Sequence, residues 1–445
     1  MRNPGISNRC NPIMAAAVII SLSIACQAAF AAATCPCDIY AAGVTPCVAA
    51  HSTVRALYAA YNGPLYQVRR KSDSKTLDIG VLKAGGFANT AAQDSFLSGT
   101  TGTISIIYDQ SPKGNNLTVA PKGQRGTADV EASATGLALK VGGHAVYAVY
   151  VNIGVGYRID KTSGVATVDQ PEGLYMVTSG THVNGGCCFD YGNAETNNTD
   201  DGNGTMEAIY MGTSTSWGHG SGSGPWVMAD LENGLFAGGA EVNNNNTPLP
   251  LDYVTAMVKG GPNEFAIKGG NAQKGTITTM YSGARPTKAG YNPMTKQGAI
   301  ILGIGGDNTN SAIGTFFEGA MTTGYPPDTT ENAIQANIVA AGYGSSTTPA
   351  SYRMGGAAAA SPYGVHYNSS RGTVVVSYTV QNARRVSMNI VDQSGRQIAT
   401  IVGEDVSTGR HEALWDAKQV PAGVYACRIA INGRDAWAGK IVIGK

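Results

Sequence analysis

The chain has 445 residues, a formal net charge of +1, only 14% charged residues and 59 glycines. Typical soluble domains carry about 25% charged residues, so the surface is neutral and rich in turns. No basic run appears, which removes the electrostatic footprint of a nucleic-acid binder. A neutral polymer or a small polar ligand suits this surface, and the length suffices for two or three domains of roughly 100 to 200 residues each.

In chain order, residues 1–33 read as an export signal. Arg2 and Arg9 precede the apolar run IMAAAVIISLSIACQAAFAAA, and the small residues Ala31 to Ala33 offer a cleavage site. The run is short of the roughly 20 strongly apolar residues that a membrane span prefers. SIAC, ending at Cys26, is a poor match to the alternative lipidation signal. The mature chain is therefore expected to be secreted, with no membrane span. Loss of the signal removes Cys10 and Cys26 and leaves Cys35, Cys37, Cys47, Cys187, Cys188 and Cys427. In an oxidising compartment the default fate of such cysteines is disulfide formation. Cys37 and Cys47 flank a loop short enough to close, whereas Cys35 and Cys427 have no obvious partner. The six histidines are scattered and the cysteine spacing is not that of a zinc site, so neither metal nor cofactor is expected.

Residues 34–344 alternate short apolar runs, such as TISIIYDQ, GLYMVTSG, PWVMADLE and GAIILGIGG, with Gly, Asn, Asp, Ser and Pro clusters, which is the signature of strands. Two segments read as helices: HSTVRALYAAYNG, opening at Ser52, and TTENAIQANIVAAGYG, closing at Gly342. Residues 345–363 are a linker by composition. Residues 364–445 alternate apolar and polar residues, with hairpin punctuation at Ser394-Gly395 and Asn432-Gly433. The expected fold class is all-β, a β-sandwich followed by a second, smaller one.

Two carboxylates stand out. In VMADLENG, strand alternation would put Asp230 and Glu232 on one face; in ILGIGGDNTN, Asp307 sits where an apolar strand ends in two glycines. A solvated strand end and an Asx turn are the bland readings of these positions. Glycoside hydrolysis gives such a pair a purpose, because it commonly uses two carboxyl groups flanking the scissile bond. Trp217 and Trp226, in TSWGHGSGSGPW, are of the type that stacks on sugar faces, although core packing is the commoner role of a tryptophan.

The stretches CDIYAAGVTPCVAAHSTVRALYAAYNGPLYQVRR, IIYDQSPKGNNLT, CCFDYGNAET, WVMADLENGLF, YSGARPTKAGYNPM and AIILGIGGDNTNSAIGTFFEGAMTTGYP closely resemble the catalytic domain of family 54 α-L-arabinofuranosidases. The resemblance runs from about Cys37 to Gly342. It implies a concanavalin-like sandwich and retaining hydrolysis of terminal α-L-arabinofuranosyl groups from arabinan and arabinoxylan. Carried over by position, it implies Glu232 as nucleophile and Asp307 as general acid and base, with Asp230, Asn233, Trp217 and Gly306 lining the sugar pocket. It also implies a vicinal disulfide between Cys187 and Cys188, a rigid apolar knob against the ring. Such a mechanism needs Asp307 protonated while hydrogen bonds keep Glu232 ionised, and carboxyl groups roughly 5 to 5.5 Å apart.

Two departures accompany the resemblance. A further disulfide is often found where this chain reads FLSGTTG, residues 96–102, so that loop is held otherwise or is looser. The arabinose-binding trefoil usual after the catalytic domain is absent; residues 364–445 instead resemble the small immunoglobulin-like modules of the FlgD type, on VDQSGRQI and PAGVYACRI. That likeness implies a spacer, a cell-surface attachment signal or a binding module. The alternative readings of the whole are a non-catalytic carbohydrate-binding or adhesin-like sandwich, and a glycosidase acting on a related furanoside. Arabinose-containing plant polysaccharides are the expected partners.

Overall fold

The computed structural model describes residue 1, residues 35–344 and, with short gaps, residues 363–443; the expected export signal, nearly all of the linker and the two hairpin turns of the C-terminal part lie outside the described residues. Two antiparallel sheets dominate residues 35–344. The first runs in the order Thr278–Ala284, Glu264–Asn271, Val254–Gly261, Glu172–Thr178, Gly314–Thr323, His144–Val151 and Leu137–Val141, with Cys47–Ser52 also paired to Gly314–Thr323. The second runs Leu235–Phe236, Trp226–Asp230, Glu207–Gly212, Asp190–Ala194, Ala299–Leu302, Tyr157–Ile159, Leu117–Val119, Gly102–Ile107, Pro64–Arg70 and Thr76–Gly80. A continuous apolar core, including Leu174, Met176, Ile209, Met211, Val227, Met257 and Ile300, joins the two. The expected sandwich is therefore present.

Strands Glu172–Thr178 and Val254–Gly261 are buried on both faces. One reason is the helix Asp328–Ala341, which turns Ile334 and Ile338 into the core. Lys259 and Lys268, on two neighbouring strands, each reach both Asp328 and Glu331 of this helix at 2.6–2.7 Å. The helix ends as expected at Gly342, in the left-handed conformation with φ 75°.

The other expected helix, over residues 51–63, does not form. Ser52 does accept backbone N–H bonds from Val54 and Arg55, both at 3.1 Å, as an N-cap serine would. The backbone that follows is committed elsewhere: Ala56 N–H to Gly86 O at 2.8 Å, Leu57 N–H to the Gln110 side chain at 2.7 Å, and Ala88 N–H to Val54 O at 3.0 Å. These long-range bonds replace the helical ladder, and Arg55 is drawn inside to a bidentate pair with buried Glu318. Two short helices not read from the sequence, Pro36–Ala42 and Thr90–Phe96, are fixed locally instead. Asp38 caps the first through the Cys35 N–H at 3.0 Å, and the Asn89 side chain caps the second.

Cys37 and Cys47 are joined as a disulfide, as are Cys187 and Cys188, while Cys35 and Cys427 are both buried and free. The 96–102 loop is held without a disulfide. Arg70 donates to Phe96 O at 3.2 Å and stacks its guanidinium 4.5 Å from that ring, and the Lys71 N–H reaches Thr101 O at 2.9 Å.

The C-terminal part has its own core. Tyr363–Asn368, Thr373–Val380 and Gly409–Asp416 form one sheet; Gln397–Val406, Arg384–Val391, Gly423–Ile431 and Arg434–Ile443 form another. Val374, Val376 and Ala413 from one meet Met388, Ile390, Cys427 and Ile441 from the other, making a small two-sheet sandwich.

Candidate active site

Three strands of the second sheet, Trp226–Asp230, Asp190–Ala194 and Ala299–Leu302, lead into the site. The chain leaves strand Trp226–Asp230 through a tight turn in which Leu231 N–H bonds Gly234 O at 3.2 Å. Glu232 and Asn233 occupy that turn at φ 63° and 53°. Left-handed backbone at two successive non-glycine residues is strained and tends to mark functional positions. The strand alternation expected to align Asp230 with Glu232 therefore ends one residue too early. The two are linked by a turn instead: Asp230 Oδ1 accepts the Glu232 N–H at 3.1 Å, and Tyr291 donates to Glu232 O at 2.6 Å.

Strand Ala299–Leu302 leads into the second carboxylate. Asp307 accepts the Thr309 N–H at 2.9 Å, which is the Asx turn, and its other oxygen lies 3.1 Å from Arg125 Nε. The bland reading of Asp307, an Asx turn, is met, and the turn sets the carboxyl at the cavity wall. Ahead of strand Asp190–Ala194 lies the Cys187–Cys188 cystine, whose sulfurs are within 4.8 Å of an Asp230 oxygen. Joined as a disulfide, they offer no thiolate to a metal.

A cavity of about 190 Å³ is lined by Cys187, Cys188, Trp217, Asp230, Glu232, Asn233, Gly306 and Asp307, every pocket residue expected from the sequence, together with Arg125, Asp200, Leu235 and Thr309. Trp217 is 43% exposed at its rim. Trp226 is core: fully buried, it donates from its indole N–H to Ser221 O at 2.7 Å. Drug-sized ligand pockets run to roughly 300 to 1,000 Å³, so this one has the scale of a single small ring.

Beneath the cavity lie two carboxyls that sequence reasoning missed, Asp190 and Glu195, both fully buried. Among the described residues, no hydrogen-bond donor reaches either oxygen of Asp190. Burial, then the Asp230 charge, pushes Asp190 well above the carboxylate range. Burial likewise raises Asp230, to about 7. Glu232 is pushed up to about 11, by burial first and then by Glu195, Asp230, Asp200 and Asp307. The expectation that hydrogen bonds hold Glu232 ionised is thus not met. Among the described residues no N–H or hydroxyl donor reaches its carboxylate, and the Oε2 atoms of Glu232 and Glu195 both lie against Gly306. The available signal for Asp190 and Glu195 was their place at the two ends of the short stretch DYGNA, directly after the paired cysteines.

Comparison with known proteins identifies the family. The family model described as α-L-arabinofuranosidase B, catalytic, matches residues 36–344. Probable α-L-arabinofuranosidase B of Aspergillus terreus (strain NIH 2624 / FGSC A1156) is 59% identical over 333 residues, which is 74% of this chain and 66% of that protein. The α-L-arabinofuranosidase of Hypocrea jecorina is 60% identical over 314 residues, 69% of this chain and 63% of that one. Among solved structures, a family 54 α-L-arabinofuranosidase soaked with a cyclic sulfate inhibitor superposes with a TM-score of 0.69 at 47% identity, covering 85% of this chain and 74% of that one. An arabinofuranosidase complexed with arabinofuranosyl-α-1,2-xylobiose gives 0.69 at 46% identity, with the same coverage. The matched region spans about two thirds of the length of these curated relatives. Through residues 36–344, the chain belongs to the family of α-L-arabinofuranosidase B catalytic domains.

Proposed function

We propose that the protein is a secreted, retaining, exo-acting α-L-arabinofuranosidase that releases terminal non-reducing α-L-arabinofuranosyl residues from arabinan and arabinoxylan. The observation that carries this reading is the convergence of Glu232 and Asp307, 75 positions apart in the chain, on one cavity of single-ring scale beside the Cys187–Cys188 cystine. Solved relatives accommodate arabinofuranosyl-xylobiose and, in a glutamate-to-glutamine mutant, 4-nitrophenyl α-L-arabinofuranoside.

Glu232 attacks the anomeric carbon while Asp307 gives its proton to the departing oxygen. The arabinosyl ester on Glu232 is then hydrolysed by a water that Asp307 deprotonates. The cystine, Trp217, Asp230, Asn233 and Gly306 orient the ring. Residues 1–33 serve export, residues 34–344 catalysis and residues 345–363 as a linker, and the sandwich of residues 364–445 serves as an immunoglobulin-like spacer or cell-surface attachment module. Two internal disulfides suit an oxidising, extracellular setting.

The test is hydrolysis of 4-nitrophenyl α-L-arabinofuranoside, with the product anomer followed by proton NMR. Wild-type protein is expected to release arabinose with retention, and Glu232→Gln to be at least about 1,000-fold slower in kcat. Binding without turnover by the wild type, or inversion at the anomeric carbon, would overturn the assignment.

A further inference from the structure

Glu195 follows strand Asp190–Ala194 and is 0% exposed. Thr205 donates its hydroxyl to Oε1 at 2.5 Å, but among the described residues no donor meets Oε2. Glu232 faces it. Oε2 of each carboxyl comes up against Gly306. A Cβ placed on Gly306 would lie 2.0 Å from Glu195 Oε2 and 3.2 Å from Glu232 Oε2, so the missing side chain at position 306 is what lets the two acids approach. Carboxylate oxygens in contact repel unless a proton lies between them. The other charged groups around Glu195 do not relieve this. Asp201 and Asp230 are acidic, and Arg158 spends its guanidinium on the carbonyl oxygens of Glu195 and Gly306 and on Asp160.

We propose, resting on Glu232 being the nucleophile, that Glu195 is a positioning residue that retains the shared proton while Glu232 reacts. Before sugar binds, one proton lies between the two carboxyls. As the sugar arrives the proton stays on Glu195 and Glu232 is the anion. Its oxygen bonds to the anomeric carbon, the bond from that carbon to the leaving oxygen breaks, and the leaving oxygen takes the proton of Asp307. In the second step Asp307 takes a proton from water, the water oxygen bonds to the anomeric carbon, and the ester bond breaks. The freed carboxylate of Glu232 then meets the Glu195 proton again. No proton is consumed at Glu195. A neutral donor, where a second carboxylate would repel, keeps the nucleophile ionised.

The test compares Glu195→Leu with Glu195→Gln in the full chain, on 4-nitrophenyl α-L-arabinofuranoside. A hydrogen bond to a charged group is worth about 1.5 to 3 kcal/mol, or roughly 10- to 100-fold in rate. Glu195→Leu is therefore expected to lose about that much kcat with little change in KM. The acid limb of its kcat/KM profile should move up by about one pH unit or more, because Glu232 loses its donor. Glu195→Gln, which restores a neutral donor, should recover most of the loss and return the limb towards the wild-type position. A Leu variant with unmoved limb, or a Gln variant as impaired as Leu, would overturn the role while leaving the hydrolase reading intact. An inactive wild type overturns both. For the case in which Glu195→Leu does not fold, infrared spectra of protein trapped as the Glu232 ester decide. The buried protonated-carboxyl band expected in the wild type should be missing from Glu195→Gln; identical spectra would count against the proposal.

Discussion

Arg158, buried against the second sheet, donates from Nη1 to the carbonyl oxygen of Gly306 at 3.0 Å. Its Nη2 holds the Glu195 carbonyl at 2.6 Å, so one guanidinium ties the backbone of Glu195 to that of Gly306, against which Glu232 also lies. Arg158→Met should leave both carbonyls without a donor. The expected cost is about 2 to 4 kcal/mol in urea denaturation, with a fall in kcat/KM larger than the unfolded fraction explains. Unchanged kinetics in the folded variant would mean that this clamp does not matter to the site.

Gly306→Ala tests the same contact from the other side. The added methyl meets Glu195 Oε2 at 2.0 Å. Overpacking costs about 1 to 3 kcal/mol, and the easiest relief is to push Glu195 or Glu232 away. We expect roughly a 100-fold loss of kcat, since a displacement of about 1 Å at a reacting group carries that penalty. Steady-state kinetics beside thermal melting separates the two effects.

Stability should be greatest in mild acid. Glu172 and Asp230 are both raised to about 7, and Glu232 to about 11, with burial the first cause in each. Raised acids contribute stability that is fully present below their unfolded values, 4.5 for Glu172 and Glu232 and 3.8 for Asp230, and is lost as the pH climbs through the folded ones. Glu207 and Asp328 run the other way. Paired respectively with Arg285 and Lys296, and with Lys259 and Lys268, they are held at about 2, so their contribution disappears as the pH falls from about 4 to about 2. Urea midpoints measured from pH 2 to 9 are expected to peak at about pH 4 to 5; a plateau extending to pH 8 would contradict the protonated acidic cluster.

The cystine contributes a wall of the cavity. Replacing both Cys187 and Cys188 by alanine removes apolar surface from the ring's contact, on the order of 1 to 2 kcal/mol. KM should rise roughly tenfold while kcat changes less. Wild-type protein with this bond reduced by dithiothreitol should shift the same way, as KM measurements would reveal.

Much of the pocket was legible because its parts lie in local words that carry the family resemblance: DLENG and GIGGDN, which hold carboxylates at strand ends, and the adjacent cysteines of CCFDYGNAET. What the sequence hid was long-range. Nothing near Ser52 reveals that Gly86, Gln110 and Glu318 take up the bonds of residues 55–57 and divert the chain from a helix. Asp190 and Glu195 escaped for a similar reason, since their meaning depends on Asp230 and Glu232, which only strand pairing brings alongside. The strand ending at Asp230 was misjudged by one turn, because alternation says nothing about where a left-handed pair such as Glu232 and Asn233 interrupts it.

The size of the cavity has a kinetic corollary. A recess with room for one ring must empty before it can refill, so on the proposed reading each productive encounter ends in dissociation of both the freed pentose and the trimmed polymer. Early digests should therefore contain monosaccharide alone, with no intermediate oligomers, and any persistence on a single chain has to come from elsewhere in the polypeptide.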